Sequence, residues 1–423
     1  MAADTRSPRV LIVCGQPLPL QGQPATGVGL RAWAMGQGLR AHGIDTVYAI
    51  PHDILPSTPS SDLAILPFAY HELDRCVEQA APTVVLLTGW TWVNLLTPRP
   101  DRALVIDLTG PYLLENLYSR FQDPVSMPWI KINALQKADY LLCGGHVQKN
   151  YFLPWLMMAG YDLTAPPLDV ACMGLDPALP NRMPPFPEEP VFLHAGLFLP
   201  WQDPTAILRR LVNRLEYRKK GRLVLIGGMH PSYAFPTGNT AALAKEIERH
   251  PRVEVIGLLP FETYVEKSLK CSVAIDLMQR NVERELAFPH RTVVSLWCGL
   301  PVIFNDYSEL SSPIRDRKAG WTLDPSDLDG LDRVIDQVLD DPDTTAAYGQ
   351  NARHLVKECF TWDRMAKPLA DFCRNPVKRV GQPSMLDQSI HPLDDRIGRM
   401  MLRFKQSAFY HRVKSAKTHS PQT

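Results

Sequence analysis

The stretch ERELAFPHRTVVSLWCGLPVIFND, residues 283–306, decides the fold. A charged loop interrupted by Pro289 runs into an apolar helix expected over residues 292–298, which Gly299 stops. Pro301 then opens a run, Val302, Ile303 and Phe304, with no polar alternation, the pattern of a strand buried on both faces of a parallel sheet. A helix starting near His290 or Arg291 directs unpaired N–H groups and the positive end of its dipole into the preceding crevice. An anion such as a diphosphate is stabilised there.

Working outward, short apolar runs recur with helical stretches between them, which argues for βα units and parallel sheets. The first half carries them at residues 10–14, 46–50, 84–88, 103–108, 140–143 and 170–173. The second half repeats them at 191–195, 223–226, 253–256, 273–277 and 302–304. Between the halves lies a proline-rich segment, 176–190, whose prolines remove donors and stiffen the chain as a linker requires. The expected fold class is therefore α/β, with two Rossmann-like domains at 1–175 and 191–360 facing across a cleft. A helix at 361–375 is expected to cross back to the first domain. A basic segment, 376–423, ends the chain.

Composition agrees with two ordinary globular domains: 423 residues, 45% hydrophobic and 21% charged, exceed one compact core. A formal net charge of +1 supplies no global field for nucleic acid, and no nucleic-acid partner is expected. The eight cysteines have no CxxC or metal-ligand spacing, which suggests a reducing compartment. No apolar run approaches the ~20 residues that span a bilayer, and no secretory segment leads the first strand, so a cytoplasmic protein is expected. In the tail, Arg396, Arg399, Arg403, Lys405, Arg412, Lys414 and Lys417 alternate with Ile397, Met400, Met401 and Phe404 at helical spacing. Residues 396–417 read either as a solvated terminal helix docked on the protein or as a basic amphipathic helix on an anionic membrane face.

Ligands of open parallel sheets bind beyond the carboxyl ends of the strands, so the loops there hold the candidate residues. After the first run, a long Pro/Gly loop reaches Gly27 and Gly29, which allow close backbone approach, and Arg31, a cation for phosphate or carboxylate. The loop is too long for a dinucleotide fingerprint and lacks its third glycine. Asp107 ends the fourth run and is a candidate base or sugar anchor, or a helix cap; Tyr112 and Glu115 follow it. Trp90 follows the third run and either stacks on a ligand or packs structurally. In the second half, Gly196 and Trp201, then Gly228 and His230, then Leu258 follow successive runs as a nucleotide cradle. Glu283, Glu285, His290 and Arg291 complete that wall.

These residues, in this order, resemble a GT-B glycosyltransferase, most similar to the family 4 group. The resemblance covers about residues 8–375 and rests on the Gly27/Gly29 loop, Ala41-His42-Gly43, the 138–143 strand, Gly196, Gly227-Gly228, Gly257 and Gly299-Leu300-Pro301. It implies that the second domain binds a nucleotide-diphosphate sugar, the first presents the acceptor, and closure assembles the site without a metal or other cofactor. Two departures stand out. The basic pair usual after the first strand of the second domain is replaced by residues 197–202, which include Trp201 and Gln202. The two glutamate positions before the Gly-Leu-Pro turn hold Leu286 and Val294, with Glu285 one position off and Arg291 as the substitute cation. The expected activity is transfer of a sugar to a glycan or lipid-linked acceptor of cell-surface polysaccharide or glycolipid kind. Arg31 and Arg291 would neutralise the leaving diphosphate, and Asp107 would serve the acceptor. A non-catalytic scaffold and a nucleotide-sugar epimerase remain the alternatives.

Overall fold

The computed structural model describes residues 7–55, 63–119, 123–181, 189–233 and 236–379. The first sheet contains β1 (Arg9–Val13), β2 (Asp45–Pro51), β3 (Ile65–Phe68), β4 (Val84–Thr88), β5 (Ala103–Leu108), β6 (Tyr140–Cys143) and β7 (Leu168–Val170) in the order 3-2-1-4-5-6-7. The second contains β8 (Val191–Leu197), β9 (Arg222–Gly228), β10 (Val253–Ile256), β11 (Val273–Asp276), β12 (Val302–Asn305) and β13 (Gly320–Leu323) in the order 10-9-8-11-12-13. Every neighbouring pair is parallel. Parallel neighbours need crossovers, and most of the crossovers here carry helices that pack on the sheets. That is why β4, β5, β6 and β12 are apolar apart from Thr88, Asp107 and Asn305 near their carboxyl ends, and are buried throughout. Two Rossmann-like domains of this kind form the GT-B arrangement.

Both sheets extend beyond the runs read from sequence. Strands β3 and β13 lie on sheet edges, where half-exposed residues dilute the apolar signal, and β3 also contains Pro67, which an edge tolerates. The expected strand at 170–173 lies two residues earlier, at β7. The helix Trp362–Arg374 returns to the first domain and packs on the helix Gly27–Ala41. Trp33 meets Trp362 edge to face at 5.5 Å, and a Cβ on Gly38 would sit 2.0 Å from the Trp362 carbonyl oxygen, so only glycine permits this crossing.

Beyond that helix, Lys378 and Arg379 lie on the first domain rather than in a free basic tail. Lys378 Nζ is 3.0 Å from Asp139 Oδ2, and the Arg379 amide donates to Asp139 Oδ1 at 2.8 Å. The basic stretch 396–417 lies outside the described residues. Among the described residues, no helix is long and apolar enough to cross a membrane.

Candidate functional site

The carboxyl ends of both sheets face one cleft of about 1070 Å³. That exceeds the usual ligand pocket of roughly 300–1,000 Å³ and leaves room for two reactants. The cleft is closed by bonds from one domain to the other. The Phe261 amide donates to the Gln23 carbonyl at 3.0 Å, and the Gly22 amide donates to Glu262 Oε1 at 2.7 Å. The Tyr233 hydroxyl donates to the Gly15 carbonyl at 3.3 Å. Glu309 accepts from the amides of His146 and Val147 at 2.8 and 3.0 Å, so a second-domain carboxylate sits on the N-terminus of a first-domain helix, His146–Met158.

On the second-domain wall, Arg291 is the second residue of the helix His290–Trp297. Its side chain lies across Gly196, where a Cβ would be 2.3 Å from Nη1 and where φ is +136°, a conformation that favours glycine. Nη1 donates to the Ala195 carbonyl at 3.0 Å, and Nη2 donates to Gln202 Oε1. Both acceptors are neutral, so no bonded carboxylate cancels the charge. Burial accordingly lowers the Arg291 pKa, with Asp276 the leading opposing influence. Gln202, which holds the guanidinium in place, occupies the stretch where the family's basic pair was missed; nothing in its sequence context marks it for this role.

Arg31 does not line the cleft. It is fully buried; Nε and Nη2 donate to Asp107 Oδ2 and Oδ1 at 2.7 and 2.9 Å, and Nη1 donates to the Ala171 carbonyl at 2.6 Å. Burial alone would lower the Arg31 pKa, but attraction to Asp107 overrides it and raises the value. Each residue neutralises the other, which corrects the reading of Arg31 as a diphosphate clamp and of Asp107 as an acceptor base. Gly29 is also corrected: a Cβ there would be 1.8 Å from the Pro17 carbonyl oxygen, so this glycine packs against its own loop. Its amide donates to the Thr26 hydroxyl at 3.1 Å, capping the helix Gly27–Ala41. Gly27 does line the cleft.

Glu285 lies off the cleft, paired with Arg280 at 2.7 Å. The helical turn Val282–Leu286, capped by the Asn281 side chain, turns Glu283 inward instead. There Arg284 grips Glu283 through two bonds of 2.6 and 2.8 Å. The sequence reading missed Arg284, because only the direction of that turn separates it from its charged neighbours. Gly228 does not line the cleft either; its carbonyl accepts from the Phe198 amide at 2.9 Å. Gly196, Trp201, His230 and Leu258 do line it. His230 Nδ1 faces the amides of Ser232 and Tyr233 at 3.1 Å each, which makes it the acceptor and places the ring proton on Nε2. Burial lowers the His230 pKa to about 4.

Across the cleft stand Trp90, Tyr112 and Glu115 of the first domain. Trp90 and Tyr112 meet edge to face at 5.8 Å. Trp90 is 4% exposed, so it offers an edge rather than an open stacking face. Burial, and then the charge of Glu283, raise the Glu115 pKa to about 8, while Arg284 works the other way. Among the described residues, no group of three or more His, Cys, Asp or Glu is gathered to hold a metal ion.

Residues 178–355 match the profile of the family described as glycosyl transferases group 1. No curated protein sequence matches the chain. Among solved structures, sucrose-phosphate synthase from Thermosynechococcus elongatus is similar at 16% identity and a TM-score of 0.63, over 87% of this chain and 98% of that one. Anabaena HepE in complex with UDP and glucose is similar at 15% identity and a TM-score of 0.62, over 86% and 99%. WaaG, described as a glycosyltransferase involved in lipopolysaccharide biosynthesis, is similar at 12% identity and a TM-score of 0.59, over 86% and 100%. The likenesses show the fold, and the second domain is a group 1 glycosyltransferase domain. The chain has the GT-B fold and carries a group 1 glycosyltransferase domain over residues 178–355, and neither finding places it in family 4.

Proposed function

We propose that the enzyme transfers a sugar from a nucleoside diphosphate to a hydroxyl of a cell-surface polysaccharide or glycolipid acceptor, without a metal. The observation that carries this reading is Arg291: a cation bonded only to neutral oxygens, lying over Gly196 at the mouth of β8 and at the start of a helix. Negative charge grows on the diphosphate as the glycosidic bond breaks. A guanidinium and a helix N-terminus fixed beforehand stabilise that charge without reorganising. The structures complexed with UDP and a sugar support a uridine nucleotide as the first donor to test. The polysaccharide or glycolipid acceptor is supported by WaaG's stated role and by an aromatic first-domain wall. A peripheral position on a cytoplasmic membrane face, through residues 396–417, belongs to the same proposal.

The test is a thermal-shift screen with UDP, GDP, ADP and dTDP followed by product analysis. One diphosphate should raise the melting temperature by mass action, and its sugar conjugate should turn over only with an acceptor present. Absence of any saturable nucleotide binding would overturn the proposal.

A further inference from the structure

His290 is the residue the proposed transfer leaves unexplained. Its ring stands at the domain boundary, with Nδ1 3.1 Å from the carbonyl oxygen of Gly27 in the opposite domain. A carbonyl only accepts, so Nδ1 carries the proton and Nε2 is left with a lone pair. Nε2 is buried and has no partner among the described residues. The surroundings keep the ring neutral: burial comes first, followed by the positive charge of Arg31, with Arg284 and Arg291 adding to it, and the pKa falls to about 3. The cleft therefore holds a buried acceptor, fixed in one tautomer, with its own donor absent.

We infer that His290 Nε2 accepts a hydrogen bond from a hydroxyl of the transferred sugar, and that the Gly27 carbonyl, by fixing the tautomer on closure, makes the first domain a determinant of donor specificity. This rests on the transfer reading above. The chemistry narrows the occupant. An anionic oxygen is repelled by the lone pair, and an ammonium group is disfavoured by Arg291, the neighbouring cation whose bonded partners are neutral. A neutral O–H satisfies both. His290 directly precedes Arg291 and reaches Gly27 of the first domain, and of the two groups carried by a diphosphate held at Arg291 it is the sugar, not the nucleoside, that must meet the acceptor side of the cleft. His230 has the opposite tautomer, with Nε2 protonated, so the two cleft histidines differ in polarity: His230 is a donor and His290 an acceptor.

The experiment titrates wild type, His290→Ala and His290→Gln with UDP, with UDP-glucose and with the monodeoxy UDP-glucoses; if the screen selects another base, the same series on that base is used. A lost hydrogen bond is worth about 1 kcal/mol, so His290→Ala should weaken UDP-glucose roughly fivefold and leave UDP within about twofold. His290→Gln, which restores an acceptor oxygen, should recover part of the loss. One monodeoxy compound should bind wild type as weakly as UDP-glucose binds His290→Ala, and should not weaken further in that variant. Equal losses for UDP and UDP-glucose, or no loss for either, would overturn the inference while the transfer reading stands. Failure of every diphosphate to bind wild type would remove both.

Discussion

Arg31 and Arg291 begin as equivalent residues: each lies near the start of a helix that follows a strand facing the cleft. Their partners make them different. Arg31 meets a carboxylate from β5, 76 positions away, and becomes half of a neutral buried pair. Arg291 meets a backbone carbonyl and an amide oxygen and retains its charge. The first domain therefore uses its cation to hold its own strands and helix together, and the second leaves one uncancelled at the cleft. A guanidinium at a cleft is available for catalysis only when its bonded partners leave its charge standing.

The largest expected effect breaks the Arg31 side of this comparison. Arg31→Ala strands Asp107 in the interior, and removing one partner of a buried pair costs about 3–5 kcal/mol. Chemical denaturation should show that loss, or the variant should fail to fold. The double change Arg31→Met with Asp107→Leu removes both charges and should recover most of the stability, with nucleotide binding intact. If the double variant folds and loses nucleotide binding specifically, Arg31 belongs to the site after all.

Arg291→Ala should behave in the opposite way. Turnover should fall on the order of 10²-fold or more, as expected when a preorganised charge at a developing anion is lost. Stability should hold or rise, because a desolvated cation has been removed. Unchanged turnover with unchanged diphosphate affinity would end the assignment. Gly196→Ala probes the same guanidinium from beneath, since the new methyl would press on Nη1 and adopt an unfavoured φ. Strain of this kind costs about 1–3 kcal/mol. Diphosphate affinity should fall more than the melting temperature does, and a larger thermal effect than binding effect would make Gly196 a purely structural requirement.

The same contrast explains how much could be read from the sequence. The sheets were legible because a strand covered on both faces must be largely apolar along its length, and β4, β5 and β6 were bounded to the residue. Strands β3 and β13 were not, because an edge relaxes that demand. At the site, Gly27, Gly196, Trp201, His230, His290 and Arg291 were legible as strand-end and helix-start residues. What was not legible was pairing. Nothing local to Arg31 announces Asp107, nothing local to Gln202 announces Arg291, and the choice between Glu283 and Glu285 depends on the direction of one helical turn.

The smallest expected effect concerns protons and also separates the two walls. Glu115, on the first domain, has its pKa raised from 4.5 to about 8, by burial and then by Glu283 of the second domain. The folded protein keeps this proton where the unfolded chain has released it, so Glu115 makes stability fall as pH rises from 4.5 to about 8, with no further change above. His290 and His230 act in the other direction, because values lowered from 6.5 to about 3 and about 4 make stability fall as pH drops below 6.5. Between pH 6.5 and 8 these two histidines are silent, and because buried Lys131 has a lowered pKa and acts in the opposite direction, the Glu115 contribution is read as the difference between wild type and variant. Melting temperatures of wild type and Glu115→Gln across that interval should diverge, the variant gaining on wild type as pH rises. Part of the shift comes from a carboxylate across the cleft, so Glu283→Gln should reduce the same slope even though residue 283 lies on the other domain. If Glu115→Gln and wild type keep a constant separation from pH 6.5 to 8.5, Glu115 is ionised throughout, and the first-domain wall presents a negative charge to the acceptor rather than a protonated carboxyl.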